Sequence, residues 1–215
     1  MILALLASAA LAQADCPAGG TGAACRAVAA AAANQPASAA TEFEAAAAAA
    51  QGPARNRALA AAGNMWIAAG QPGKAAVALD RALAGTGLQA EQRGEALLDR
   101  ARAAEAQNDL KLARAKVTEA AATISADPFL WYFSAALAIR EVDPAVAKTA
   151  IGRALNLAPN EALVLFEAGH VYHFAGEPQK ARDYWTRAAA AEPNSPTGQA
   201  AREALALLDR PAATK

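Results

Sequence analysis

Glu167, His170 and His173 stand three residues apart along one apolar stretch, which sets the sequence's two histidines beside a carboxylate. On a helix that spacing brings the side chains toward one face, and a Glu-x-x-His pair can ligate a metal when a facing helix supplies further carboxylates. The preceding helical stretch offers Ala, Phe and Ile at the corresponding places. These histidines are therefore expected in a groove or partly buried, and a metal-binding or enzymatic role through the three residues is the alternative. Cys16 and Cys25, the two cysteines, flank the loop Pro17-Ala18-Gly19-Gly20-Thr21-Gly22. They are not spaced C-x-x-C and have no histidine near, so a structural disulfide is expected in preference to redox or zinc chemistry, with free buried thiols as the alternative. The sequence has no nucleophile elbow, phosphate loop or H-E-x-x-H. No catalytic residue and no cofactor are assigned, and the expectation is a protein that is not an enzyme.

The elements that must carry these residues follow from composition. Of 215 residues, 55% are hydrophobic, but about 70 are alanine and only 5% are aromatic. A β-sandwich or doubly wound core needs dense Val, Ile, Leu and aromatic runs, which are missing. Alanine is the strongest helix former, so the chain reads as all-α. Twenty basic residues balance twenty acidic ones, which leaves no electrostatic footprint for nucleic acid or an anionic membrane.

An internal repeat orders the helices. The turn segments Asn34-Gln35-Pro36, Gly70-Gln71-Pro72, Asn108-Asp109-Leu110, Val142-Asp143-Pro144 and Gly176-Glu177-Pro178 begin 36, 38, 34 and 34 residues apart. Each is followed by an alanine, a bulky residue four on and an alanine three further: Ala39-Phe43-Ala46, Ala75-Leu79-Ala82, Ala113-Val117-Ala120, Ala147-Ile151-Ala154 and Ala181-Trp185-Ala188. Four-then-three spacing puts each trio on one helical face. A helical stretch of about 14 residues precedes each turn, so the chain reads as five helix–turn–helix repeats, about residues 20–55, 56–93, 94–127, 128–161 and 162–195. Residues 196–210 read as an amphipathic capping helix with Ala201, Leu205 and Leu208 inward, and 211–215 as a disordered tail. The connection Gly85-Thr86-Gly87-Leu88-Gln89 reads as a flexible insertion.

At these residues the sequence resembles the tetratricopeptide repeat family. The fifth repeat fits best, through Leu165, Gly169, Tyr172, Gly176, Ala181, Trp185, Ala188 and Pro193. The second carries Leu59, Gly63, Trp66, Gly70, Ala75, Leu79 and Ala82, and the fourth Trp131, Ala135, Ala147, Ile151, Ala154 and Pro159. The resemblance implies a right-handed superhelical solenoid whose inner face binds peptides or protein segments. Gly63 and Gly169 would let the two helices of a repeat approach, with Trp66, Trp131, Tyr172 and Trp185 at inter-helix places. A family subclass clamps C-terminal carboxylates through Lys and Asn. Asn64 and Arg102 sit at plausible places for that, but Ala24, Ala60 and Leu98 replace the lysines, so the clamp is incomplete.

Nine of the eleven aromatics lie between Phe129 and Trp185. The first-helix stripe about 140° around from the core side, expected to meet solvent, reads Arg57, Ala60, Asn64, Ile67 in repeat two and Glu95, Leu98, Arg102, Glu105 in repeat three. It turns apolar in the last two, with Phe129, Tyr132, Ile139 and Arg140, then Leu163, Phe166, His170 and His173. Exposed apolar patches of this kind mark interaction surfaces. These eight residues are the expected peptide-binding groove, with a chain segment lying over them as the alternative. Ile2 to Ala12 has the length of a signal-peptide apolar region, too short for a permanent span, with small-residue cleavage sites before Gln13 or Asp15. Asp15 spoils a lipobox at Cys16. The reading is an exported, periplasmic, non-catalytic scaffold for a protein or peptide partner, with no nucleic acid and no membrane span in the mature chain. An accessory role in envelope or cytochrome assembly is the runner-up.

Overall fold

The computed structural model describes residues 16–209, Thr21 by its backbone alone. The expected signal peptide (1–14), Arg210 and the 211–215 tail lie outside the described residues. Those residues form eleven α-helices: α1 Gly20–Ala32, α2 Pro36–Ala49, α3 Gly52–Ala68, α4 Pro72–Ala84, α5 Ala90–Ala106, α6 Leu110–Ala120, α7 Pro128–Arg140, α8 Pro144–Leu157, α9 Ala162–Phe174, α10 Pro178–Ala191 and α11 Pro196–Leu208. No strand occurs among them.

The repeat is written in its turns. Each hairpin turn places one residue in the left-handed region: Asn34, Gly70, Asn108, Val142 and Gly176, with φ of 55°, 68°, 64°, 60° and 76°. In each, that residue's amide donates three residues back and the next amide donates five back, as in Gly176 N to His173 O and Glu177 N to Tyr172 O. This pair of hydrogen bonds to the last carbonyls ends the first helix and reverses the chain. The second helix then starts on proline in four of the five hairpins, at Pro36, Pro72, Pro144 and Pro178, where a missing N–H costs nothing. Asp109 and Asp143 cap their helices by accepting backbone N–H bonds.

The chain divides between Ile124 and Ser125 into two compact units. The first holds the hairpins α1/α2, α3/α4 and α5/α6. One core cluster there is built from Ala40, Ala62, Trp66, Ala75, Ala78, Leu79, Ala96 and Ala103. The second holds α7/α8, α9/α10 and α11. One core there joins Ala135, Ala138, Ala147, Ile151, Val164, Ala168 and Val171, and another joins Leu165, Ala181, Trp185, Ala188 and Ala201, with Leu205 and Leu208 of α11 packed on it. Alanine dominates because methyl-sized side chains let helix backbones close together. Gly169 is the extreme case: a Cβ there would lie 2.2 Å from Trp185 Nε1.

The Gly85–Gln89 connection departs from the expected loose insertion. A Cβ on Gly85 would stand 1.8 Å from the Asn56 amide, and one on Gly87 2.6 Å from Pro53 Cα. Leu88 packs against the first unit's cores. The glycines are there for close packing, and the segment is pinned down.

Candidate functional site

In the first unit the first-helix stripe lines a groove of about 570 Å³. Ala60 and Ala61 of α3 and Ala96 and Leu98 of α5 give it apolar walls, with Val28, Phe43, Met65 and Leu88 around them. Arg57, Asn64, Gln92, Glu95 and Asp99 supply its polar groups. Asn64 Nδ2 donates to Asp99 Oδ2 at 2.8 Å, and Arg102 donates to Asp99 Oδ1 at 3.0 Å. The two residues expected at clamp-like places thus converge on a carboxylate of the protein itself. Burial pushes the Asp99 carboxyl above its ordinary range, against the lowering pull of Asn64 and Arg102.

In the second unit the eight expected groove residues fall into separate neighbourhoods. Phe129 is 44% exposed at the start of α7. Tyr132 and Ile139 are half-buried and lean on the Ala135–Val171 core, while Arg140 is exposed at the end of α7. Leu163 is half-buried. Phe166, His170 and His173 gather around Trp185. Phe166 meets the His170 ring edge-on at 4.5 Å, His170 meets the indole at 5.3 Å, and His173 meets it at 5.7 Å. Trp185 Nε1 closes the group by donating to the Phe166 carbonyl at 3.1 Å.

Glu167 is buried beside them, and burial pushes its carboxyl up to about 8. Burial first, then the charge of His173, pushes His170 below the ordinary histidine value. Among the described residues no group of three or more His, Cys, Asp or Glu is placed to hold a metal ion. The Cys16 and Cys25 sulfurs stand at bonding distance, with Cα atoms 5.7 Å apart.

Two expected inter-helix aromatics are only half-buried. Trp131 Nε1 donates to the Ser125 carbonyl at 2.7 Å, and the Arg153 guanidinium lies 4.3 Å from the ring centre. Tyr172 stacks on Tyr184 at 5.3 Å, with the Lys180 ammonium 5.0 Å from its ring. Both sit near the rim of a hairpin, where a long basic side chain from the second helix reaches over the ring. Sequence reasoning passed over Phe43, Met65 and Leu88 as groove residues. The only available signal was their bulk amid alanine, which does not distinguish groove from core.

No family model and no curated protein matches the sequence. Solved structures do match the fold. A tetratricopeptide repeat protein from Parabacteroides merdae aligns with a TM-score of 0.72 over 95% of this chain and 77% of its own, at 16% identity. PilF of Pseudomonas aeruginosa aligns at 0.68 over 87% and 83%, also at 16% identity. YrrB, described as a TPR protein with an unusual peptide-binding site, aligns at 0.58 over 93% and 98%, at 15% identity. At such identities the likeness is one of fold, and the fold of this chain is that of the tetratricopeptide repeat proteins.

Proposed function

We propose that this protein is a non-catalytic, exported interaction scaffold that docks a peptide or protein segment on its first-helix stripe. The observation that carries the reading is the groove of the first unit, about 570 Å³ of trough walled by Ala60, Ala61, Ala96 and Leu98 and edged by polar side chains. Apolar walls with a few polar groups are the usual make-up of a binding cleft. In the second unit the corresponding stripe is carried by Phe129, Tyr132, Ile139, Arg140, Leu163, Phe166, His170 and His173, of which the exposed Phe129 ring is the available aromatic anchor. Export is supported by the apolar Ile2–Ala12 run and by a cysteine pair at bonding distance, which suits an oxidising compartment.

The test is a quantitative pull-down from periplasm with chains carrying Leu98→Asp or Phe129→Ala. Leu98→Asp places a charge on a groove wall. Phe129→Ala removes an exposed aromatic ring whose loss leaves the cores intact. Each is expected to weaken capture of the bound protein at least tenfold with unchanged helicity, as truncated interface anchors do. Wild-type capture by both folded variants would exclude the stripe as the docking face.

A further inference from the structure

We propose a second binding site, where α7 and α8 meet around Trp131 and Arg153, that takes a protein segment in which a carboxylate lies next to an apolar side chain. The site is built around Arg153 and Trp131.

The indole is fixed first. Its Nε1 is tied to the Ser125 carbonyl at 2.7 Å, and the ring packs against the second unit's core. The guanidinium of Arg153 then lies over the ring at 4.3 Å. A cation held over an indole is attracted by the ring without spending its N–H donors, so the fork of the guanidinium stays available for a ligand. The Arg153 side chain makes no hydrogen bond or ion pair among the described residues, and neither does the side chain of Asn156, one turn further along α8. By contrast, Lys148 on the same helix is engaged with Glu177, and Arg182 with Asp209.

A cavity of about 330 Å³ lies on each side of the stacked pair. One is lined by Ser125, Trp131, Arg153, Asn156 and Leu157. The other runs along Ala145, Val146, Thr149 and Ala150 beside Trp131. No acidic residue lines either one, so the site holds a single unmatched positive charge. Val146 and Leu157 are 40% and 44% exposed. The complement to this arrangement is a carboxylate accepting from the Arg153 fork and the Asn156 amide, with a neighbouring apolar side chain laid on Val146 or Leu157. Fork-to-carboxylate bonds are short and charge-assisted, and a pre-stacked guanidinium loses little freedom in forming them.

The experiment uses the full chain on an array of synthetic ten-residue peptides. Each pairs one Asp, Glu or C-terminal carboxylate with an adjacent Leu, Val or Phe, and each is spotted beside its Asn, Gln or carboxamide counterpart. The expected result is binding to acidic members in preference to their neutral counterparts. Arg153→Gln should weaken it at least tenfold with unchanged circular dichroism, and Arg153→Lys should restore only part. Arg81→Gln, which removes an exposed positive charge from the first unit, should leave it unchanged. Equal binding of neutral counterparts, indifference to Arg153→Gln, or an equal loss in Arg81→Gln would overturn the proposal. So would Arg153-dependent binding to phosphatidylglycerol vesicles without peptide binding, which would assign the face to a lipid headgroup. Arg153 and Asn156 of α8 and Trp131 of α7 are not among the stripe residues, so Leu98→Asp and Phe129→Ala should leave array binding intact and the two readings fail separately.

Discussion

Asn64 on α3 and Asp99 on α5 are joined by a 2.8 Å hydrogen bond across neighbouring hairpins. The bond runs along the edge of the groove and fixes how far apart its walls stand. An asparagine whose place suits it to reading a ligand is thereby tied to the protein's own carboxylate, with Arg102 completing the group. Removing the acceptor leaves a part-buried amide without a partner. Asp99→Ala is expected to cost about 1–2 kcal/mol in denaturant unfolding. Asp99→Asn keeps an acceptor and removes a charge that burial opposes, so it should stay close to wild type. Equal losses in the two variants would show that the hydrogen bond is not what stabilises the groove edge.

Glu167 gives the stability a pH dependence. Its folded-state value of about 8 lies above the ordinary 4.5 because burial penalises the carboxylate. The folded chain therefore holds a proton that the unfolded chain has released between those values, and stability falls as pH rises through that window. Below it the contribution is fully present. At about 1.4 kcal/mol per pH unit, the loss has a ceiling of roughly 5 kcal/mol. Glu167→Gln should flatten the fall in Tm between pH 5 and 9 and be the more stable form above about pH 8. A Tm profile with the same slope in both proteins would contradict the burial account.

The five turns predict a pair of opposite effects. Val142 is a β-branched residue at φ 60° and is 74% exposed, so it carries strain with no packing in return. Val142→Gly should raise stability by about 0.5–1 kcal/mol, whereas Gly176→Ala, at φ 76°, should lower it by about 1 kcal/mol. Differential scanning calorimetry reads both.

Gly169 and Trp185 form a fitted pair. Gly169→Ala drives a methyl into the indole, and about 1–3 kcal/mol is expected for such overpacking. Trp185→Ala should cost more, about 3–5 kcal/mol, by opening a cavity against Leu165, Ala181 and Ala201. Combining Gly169→Ala with Trp185→Leu should cost less than the sum of the two single changes, because the smaller side chain makes room. Additive losses would mean the two residues do not share one contact.

Export and the cysteine pair are checked together. Protein recovered from the envelope should begin at Gln13 or Asp15 on N-terminal sequencing, and non-reduced peptide mapping should link Cys16 to Cys25. Closing so short a loop contributes at most about 2–3 kcal/mol, so Cys25→Ala should lower Tm in the oxidised protein and match the reduced wild type. An intact Met1 in cytoplasmic protein would sink the export reading.

The helices and their hairpin order were legible in the sequence because both rest on local physics. Alanine content sets helicity, and the turn residues Asn34, Gly70, Asn108 and Gly176 tolerate a left-handed backbone. The four-then-three spacing marks the buried face at Leu79, Val117, Ile151 and Trp185, all of which are enclosed. Val142 shows that the register of the repeat can override local preference. The fate of side chains beyond that face was decided by tertiary packing. In an alanine-rich helix, a large residue's period says which way it points but not what lies in front of it. Tyr132 and Phe166 hold equivalent positions on their helices, yet Tyr132 meets a neighbouring core and Phe166 meets a histidine, while the next-door Trp131 meets the guanidinium of Arg153. The groove of the first unit arises likewise from the distance between α3 and α5, which Asn64 and Asp99 fix across 35 residues of chain. No local pattern encodes that distance, because it is set by which side chains meet once the hairpins have stacked.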